Sequence, residues 1–390
     1  MAFYQYLGAH SLLIGLLPFY LPVWLWRDGT ELPAICFFIA ITGAGFAASL
    51  YLWEACVRQL RLPTVFLISF MLELLVVALA SLSLWIDITI LFVPLAIAVG
   101  VYNCFFWTTQ RSLFLARVSS QDSGRQYGNL QIFVALFLKI GILAGGFLLE
   151  KNGMLAVLAV SAVVTLGSSV WFYRTNNVEI QGFRAKPASL ADLKGFSDKL
   201  NSRQVFLVDG LFLFLESHFW TISLFLLARE NFTRLGVVVV LLAVAFGLIF
   251  YVSKNFIDRI AGLRVFQISV VIYALGWLLR ATLNEDTSFT LSTVILVTIT
   301  FCTSFFRLFF NKRFFDVAGS SSGQHYLVVK SYYTQGAAMA IFTALGLMLL
   351  IGGDASFALP AVYLLAACVS LVYLGYRMPA NTTTSPLKTS

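Results

Sequence analysis

The chain is 390 residues long, 59% of its residues are hydrophobic, and only 11% are charged. A soluble domain carries roughly 25% charged residues, and a soluble protein of this length needs more polar side chains to cover its surface. The composition therefore excludes a soluble enzyme, a disordered chain and a nucleic-acid-binding domain. It indicates an all-α polytopic membrane protein whose immediate partner is membrane lipid.

Twelve apolar runs are long enough to cross a bilayer as helices, which takes about 20 residues each. The runs lie at 8–26, 33–56, 63–85, 88–110, 128–149, 154–173, 204–228, 235–253, 265–283, 289–311, 327–351 and 357–376. They lack the alternation of membrane β-strands. The sequence therefore predicts twelve transmembrane helices, which we number span one to span twelve.

Basic residues predict the orientation of these spans. With a cytoplasmic N-terminus, nineteen of the 26 Lys and Arg residues fall in cytoplasmic segments and five in the opposite ones. This distribution explains the net charge of +8, because cytoplasmic loops are enriched in Lys and Arg. Both termini are then cytoplasmic. The first run has no basic region before it and reads as a span, not a cleaved signal peptide. The short termini favour a bacterial inner membrane.

The longest polar stretch, 174–203, divides the chain into two six-helix bundles at 1–173 and 204–377, with a tail at 378–390. We expect this central loop and the tail to be cytoplasmic. The segment Ser189–Ser202 is either a short amphipathic helix or a mobile linker.

The two halves share a weak repeat. After span four, Arg111 is followed by a Ser- and Gly-rich run up to Tyr127, and after span ten, Lys312 is followed by a similar run up to Tyr326. The two stretches superpose at an offset of about 200 residues. Tandem duplication is a known route to transporter folds, and a chance match of Ser- and Gly-rich loops is the alternative.

The loop between spans eight and nine carries a recognisable motif. It contains the pair Asp258-Arg259, then Gly262 and Arg264. This pattern resembles the signature loop of the major facilitator superfamily, Gly-x-x-x-Asp-Arg-x-Gly-Arg-Arg, with the leading Gly absent and the spacing one residue looser. The matching first-half loop is degenerate and keeps Arg58 without an Asp-Arg pair.

Span five carries a second resemblance. The run Gly141–Gly146 is similar to the end of the fifth-helix motif of many exporters in that superfamily, with Ile142 where the motif has Pro. The Pro that would bend the helix is missing, while close helix packing through small residues is retained. A generic Gly packing face is the alternative interpretation.

The resemblance implies twelve spans in two pseudo-repeats and alternating access, with spans one, four, seven and ten around a central cavity. Ion pairs between helix ends could then close the cytoplasmic side. The candidates for this cytoplasmic gate are Asp258, Arg259 and Arg264, with Arg58, Arg111 and Lys312 as counterparts. The alternative is that these residues only fix the topology.

Ionisable groups within spans are costly and therefore functional candidates. Asp209 and Glu216 are seven residues apart, two turns along one face of span seven, and Asp209 could pair with Arg307 of span ten. Glu216 lies near the midplane, where an ionised carboxylate is costly and can take up a proton. Glu216 is thus our first candidate for proton coupling and Asp209 the second. The alternative is a static ion pair with Lys139 or Arg307.

Further candidates for the substrate cavity come from three spans. Asn103, Trp107 and Gln110 share one face of span four, and an amide beside an indole suits a partly apolar organic ligand. Core packing is the alternative for this face. Lys139 either faces the cavity, as does Arg307, or neutralises Glu73 of span three.

We add His218 to the cavity set, although its position turns it about 200° from Glu216, toward a neighbouring helix. The five cysteines lie in or beside apolar runs without a C-x-x-C spacing, so we expect no disulfide, metal or cofactor.

These features predict a secondary active transporter of a small organic solute. We expect a monomer that is coupled to protons, and the span-five motif slightly favours export. Solute import, or a sensor or channel-like protein that keeps the fold, are the alternatives. An enzyme is disfavoured because the three His residues are widely scattered.

Overall fold

The computed structural model describes residues 2–117, 123–174, 188–253, 262–283, 287–321, 323–352 and 355–377. Every regular element in these ranges is helical. Asp258 and Arg259 of the predicted gate, residues 175–187 of the central loop and the 378–390 tail lie outside the described residues.

The first half contains six spans. Span one consists of Ala2–Leu16 and Leu21–Arg27, span two of Leu32–Gln59, and span three of Leu62–Leu82. Span four runs from Ile88 to Leu115 and contains a π-helical turn, Cys104–Thr108. Span five is Ser123–Lys151 and span six is Met154–Arg174.

The second half has the same order of elements. Span seven runs from Ser202 to Leu227 around a π-helical turn, Leu215–Phe219. Span eight is Phe232–Ser253, span nine Leu263–Ala281, span ten Phe289–Ser320 and span eleven Gln324–Gly352. Span twelve comprises Ala355–Ser370 and a 3-10 turn, Leu371–Gly375.

The helices match the predicted spans. Within the described ranges, ten are long and apolar enough to cross a membrane. Shorter apolar helical stretches, Phe232–Val244 and Leu359–Gly375, occupy the positions of spans eight and twelve. The protein is therefore an integral membrane protein with the predicted all-α architecture.

Two helices extend beyond their predicted ends. Span four continues to Leu115 and span ten to Ser320, where the apolar runs predict ends at 110 and 311. Arg307 consequently lies near the middle of its helix, not close to its end as the prediction placed it. Hydropathy marks only the apolar part of a helix, so it misses polar turns that project from the membrane.

The described part of the central loop contains a helix shorter than the predicted segment. It covers Leu190–Gly195, and a reciprocal capping box between Ser189 and Asp192 stabilises its N-terminus. The Tyr333 hydroxyl donates to the carbonyl oxygen of Leu193 at 2.5 Å. This helix therefore contacts span eleven, in agreement with the amphipathic-helix interpretation over Leu190–Gly195.

The halves meet through two related helix pairs. Span two packs on span eleven, and span five packs on span eight. In the repeat, span two corresponds to span eight and span eleven to span five, so the two pairs are equivalent. The interface therefore has pseudo-two-fold symmetry. Span ten also contacts span five. The candidate site lies between these contacts.

Candidate functional site

A cavity of about 500 Å³ lies between the two halves. This volume is in the range of small-molecule sites, about 300–1,000 Å³. From the first half, spans four and five supply Trp107, Gln110, Arg111, Phe114, Tyr127, Leu130 and Gln131. The second half supplies a larger part of the wall, including Asp209, Glu216, Trp220, Arg280, Thr303, Arg307, Phe310, Asn311 and Lys330. Span one, which the resemblance places at the cavity, contributes none of the described lining residues.

Asp209 is the most heavily bonded group in this wall. Its side chain accepts hydrogen bonds from Arg307 Nη1 at 2.9 Å and Lys330 Nζ at 2.7 Å. The Tyr373 hydroxyl donates to the same carboxylate at 3.0 Å. Asp209 is only 1% exposed, and such a buried charge requires this compensation. The predicted pairing of Asp209 with Arg307 is thus present.

Glu216 shares Arg307 with Asp209. Arg307 Nε donates to Glu216 Oε2 at 3.1 Å, and Nη2 lies 3.0 Å from the same oxygen. The Tyr273 hydroxyl donates to Glu216 Oε1 at 2.5 Å. The Glu216 side chain is 21% exposed, against 2% for that of Asp209. Glu216 is therefore the acid of this cluster that a solute or a proton can reach from the cavity.

Two further guanidinium groups line the cavity, and neither forms an ion pair with a carboxylate in the described part of the chain. Arg111 makes no hydrogen bond or ion pair with any residue that the structure describes. Arg280 is 3% exposed and donates from Nη2 to Thr303 Oγ1 at 2.7 Å. Its guanidinium carbon lies 4.2 Å from the ring centre of Trp277 and 4.9 Å from that of Trp220. These cation–π contacts hold Arg280 in the wall, and no described carboxylate bonds to it directly, although Glu216 faces it across the cavity.

Three predicted cavity residues lie outside the lining. Asn103 precedes the π-helical turn of span four. Such a turn holds an additional residue, which breaks the i, i+4, i+7 alignment with Trp107 and Gln110. Lys139 is eight residues from Gln131, which turns it about 80° away on an α-helix. Asn103 and Lys139 are therefore not among the described lining residues, and a role for them in substrate binding stays a prediction.

His218 is likewise outside the lining. It is buried, its Nδ1 lies 2.9 Å from Ser217 Oγ, and its ring packs on Phe214 at 5.4 Å. This placement agrees with its offset from Glu216 around the helix, and a role for His218 in the cavity stays a prediction.

Glu73 is paired within the first half. Its carboxylate lies 2.8 Å from His10 Nδ1 and accepts from the Tyr102 hydroxyl at 3.3 Å. The predicted neutralisation by Lys139 is absent, and Lys139 has no hydrogen bond or ion pair among the described residues. Glu73 points toward spans one and four and takes no part in the cavity.

The predicted gate residues do not act as a group in this arrangement. Arg58 is exposed, and its Nε donates to the Glu54 carbonyl oxygen of its own helix at 3.2 Å. Arg264 is exposed at the start of span nine. Arg111 lines the cavity. Its repeat counterpart Lys312 does not, because span four has a π-helical turn before Arg111 whereas span ten is a continuous α-helix. Lys312 alone of these described residues lies at a contact between the halves.

That contact joins the start of span five to span ten. Lys312 Nζ lies 2.8 Å from Asp316 Oδ2, and the Ser123 hydroxyl donates to Asp316 Oδ1 at 2.5 Å. Nearer the cavity, Phe315 packs against Phe114 and Tyr127 with ring centres 4.6 and 5.6 Å apart. We call this set the Ser123-side closure. It lies at the end of the bundle predicted to be cytoplasmic.

A second contact joins the halves at the opposite end. The Phe232 amide donates to Glu150 Oε2 at 3.1 Å, and Tyr20 packs on the Phe232 ring at 5.7 Å. A Cβ at Gly146 would meet the Phe232 carbonyl oxygen at 2.7 Å, so glycine permits this approach. We call this set the Glu150-side closure. The two halves therefore touch at both ends of the bundle, on either side of the cavity.

Two charged residues of the lining, Lys330 and Arg280, are not among the predicted site residues. The count of basic residues places Lys330 in a cytoplasmic segment and Arg280 in a segment on the opposite side. Both lie inside predicted spans, at 327–351 and 265–283. The rule that an ionisable residue within a span is a functional candidate would have found them.

Comparison with known proteins establishes the fold. No protein-family model and no curated protein matches the chain. Among solved structures, the nucleoside transporter NupG has a TM-score of 0.68 at 12% identity, covering 96% of each chain. The major facilitator superfamily transporter FucP, in its outward conformation, has a TM-score of 0.64 at 15% identity over 96% of each chain.

The human organic anion transporter MFSD10 has a TM-score of 0.65 at 15% identity, covering 96% of this chain and 97% of that one. Identities this low establish the fold alone. The chain has the fold of the major facilitator superfamily, as its loop motif predicts.

Proposed function

We propose that the protein is a secondary transporter that moves a small organic solute across the membrane by alternating access. The observation that carries the proposal is the cavity between two pseudo-symmetric halves, with a separate contact between the halves at each end. A solute site in this position can face either side of the membrane when one closure opens and the other holds.

Proton coupling through Glu216 is part of the proposal. Glu216 faces Arg307 of span ten, Tyr273 and Arg280 of span nine, and through Arg307 it is linked to Asp209. Protonation would remove the charge that holds Arg307 toward Glu216. Arg307 would then be free to contact a solute, which links proton binding to solute binding. The alternative, a static Glu216–Arg307 pair, predicts transport that does not depend on protons.

The test is counterflow in proteoliposomes. A thermal-stability screen of the purified protein against metabolites and drugs first supplies a binding solute. Liposomes preloaded with that solute should then take up its labelled form without ATP and without an ion gradient. Uncoupled conductance would identify a channel, and binding without exchange would identify a sensor. Both outcomes contradict the proposal. An imposed proton gradient then shows whether solute transport is coupled to protons. The polarity of the gradient that drives accumulation shows the direction of transport. Export stays a prediction, based on the glycines of span five.

A further inference from the structure

The charges that line the cavity do not balance. Four lining side chains are cationic, Arg111, Arg280, Arg307 and Lys330, and two are carboxylates, Asp209 and Glu216. With all six ionised, the lining carries an excess of two positive charges. An uncompensated charge inside a membrane protein is costly, so such an excess requires an explanation.

The excess resides in two particular residues. Asp209 and Glu216 are already satisfied by Arg307, Lys330 and tyrosine hydroxyls. Arg111 has no hydrogen-bonding or ionic partner among the described residues, although its side chain lines the cavity. Arg280 is 3% exposed, and its Nε and Nη1 have no hydrogen-bond acceptor among the described residues. Within the described ranges, therefore, no carboxylate forms a hydrogen bond or an ion pair with either guanidinium group; the acids of the cavity, Asp209 and Glu216, act on them only at longer range.

The remaining wall suits an apolar molecular body. Trp107 lies one helical turn from Arg111 on span four, and Trp220 lies beside Arg280, with its ring centre 4.9 Å from the guanidinium carbon. Indole rings offer large apolar surface to an organic ligand. A guanidinium group binds planar carboxylate and phosphate groups through paired hydrogen bonds.

We propose that the solute is a small organic anion whose carboxylate or phosphate group binds Arg111 and whose apolar part packs against Trp107 and Trp220. Arg280 completes the positive field at the other end of the cavity. This inference rests on the proposed transport function, since it identifies the solute class of the same site. It also makes the solute the missing counter-ion of the cavity.

The test uses matched solutes that differ in charge. Purified full-length protein is titrated with benzoate, phenyl phosphate and indole-3-acetate, and with the neutral amide and the cationic amine of the same ring systems. The anions should raise the melting temperature, and the neutral and cationic analogues should raise it less or not at all. Stabilisation confined to neutral or cationic solutes, or absent with every anion, would overturn the inference.

Variants locate the effect. Arg111→Gln should weaken the apparent affinity for the best anion at least about tenfold, as expected for a lost hydrogen bond to a charged group. Arg111→Lys should retain part of it. Arg234→Gln removes an exposed Arg outside the cavity and serves as the matched control. Equal anion affinity in wild type and Arg111→Gln would overturn the role of Arg111. Monodispersity on gel filtration checks folding of each variant.

Two further arms separate the possible failures. Counterflow of a neutral or cationic solute alone would uphold transport and overturn the anion assignment. Arg111-dependent anion binding without any counterflow would uphold the anion site and contradict transport. Anionic phosphatidylglycerol micelles test whether a lipid headgroup is the anion that binds. A rise in melting temperature with this lipid, and none with the soluble anions, would also overturn the inference.

Discussion

At the scale of single residues, the cluster around Arg307 gives its two acids different environments. Asp209 receives donors from Arg307, Lys330 and Tyr373, so its charge is compensated from three helices. Glu216 has Arg307 and Tyr273, and it is more accessible from the cavity. A structural anchor needs the first environment. A group that gains and loses a proton during a cycle needs the second.

Glu216→Gln keeps the shape of the side chain but removes its proton site. We expect this variant to lose proton-driven accumulation of the solute while it retains counterflow, because exchange requires no net proton movement. Uptake with and without an imposed pH gradient measures the effect. Glu31→Gln, at an exposed position that makes no capping hydrogen bond, is the matched control. A wild-type response to pH in Glu216→Gln would remove this residue from the coupling mechanism.

Asp209→Asn should destabilise the protein, because it leaves Lys330 buried without its anion. Removing one partner of a buried ion pair costs about 3–5 kcal/mol. The double variant Asp209→Asn/Lys330→Gln also removes the unpaired cation and should recover part of the loss. Thermal unfolding of the two single variants, the double variant and an exposed control, Asp28→Asn, measures this. Losses that simply add in the double variant would show that the two side chains do not stabilise each other.

The sequence identified three of the five charged residues named here. Asp209, Glu216 and Arg307 lie within apolar runs, where the cost of an ionisable group makes them functional candidates. Lys330 and Arg280 lie within about one helical turn of a predicted span end. The sequence reasoning therefore treats them as residues that fix the topology and not as residues of the cavity. The sequence leaves open which carboxylate pairs with Arg307. The partner depends on how spans seven and ten pack, and hydropathy carries no information on that packing.

At the scale of elements, each half of the cavity contains a π-helical turn. Such a turn changes which residues of a helix share a face, and it invalidates the predicted shared face in span four but not the one in span seven. In span four the turn Cys104–Thr108 separates Asn103 from the face that carries Gln110. In span seven the turn Leu215–Phe219 begins just before Glu216, and Asp209 and Glu216 still share Arg307. Both turns border the cavity, and π-helical turns often occur at functional sites. No residue pattern identifies such a turn in advance.

The glycines of span five provide an element-scale test. A Cβ at Gly141 would meet the backbone carbonyl oxygen of Leu12 and lie 3.0 Å from Gly15 Cα. Gly141→Ala should therefore separate spans one and five and destabilise the protein by about 1–3 kcal/mol. Gly167 of span six has no atom within 4 Å of a Cβ position. Gly167→Ala should leave stability unchanged or raise it by up to about 1 kcal/mol. Equal melting temperatures for the two variants would contradict the close packing of spans one and five.

At the scale of the whole molecule, the span count and the repeat follow from the sequence because the membrane restricts an apolar chain to helices of defined length. The interface between the halves does not follow in the same way. Of the described residues of the predicted gate, only Lys312 takes part in the contact at that end. Its other members are Ser123, Asp316 and an aromatic layer around Phe315. Serine and phenylalanine are too common in this chain to be identified without their neighbours in space.

Substitutions that weaken the two closures should expose the cavity to opposite sides of the membrane. Asp316→Asn weakens the Ser123-side closure, and Glu150→Gln weakens the Glu150-side closure. Losing a hydrogen bond to a charged group costs about 1.5–3 kcal/mol, which corresponds to a shift of roughly tenfold or more between conformations. In a cysteine-free background with Gln131→Cys in the cavity wall, Asp316→Asn should increase labelling by a membrane-impermeant maleimide from the Ser123 side. Glu150→Gln should increase it from the other side.

This pairing of variants separates a carrier from a channel. Alternating access requires that one closure stays formed while the other opens, so each variant should raise the labelling rate from one side and lower it from the other. A labelling rate that rises from both sides in either variant would indicate a continuous pore. Labelling that is unchanged in both would mean that these contacts do not control the equilibrium between conformations. The Arg27–Glu150 pair is exposed and contributes little, so the response of Glu150→Gln depends on its hydrogen bond to Phe232 and should be the smaller of the two.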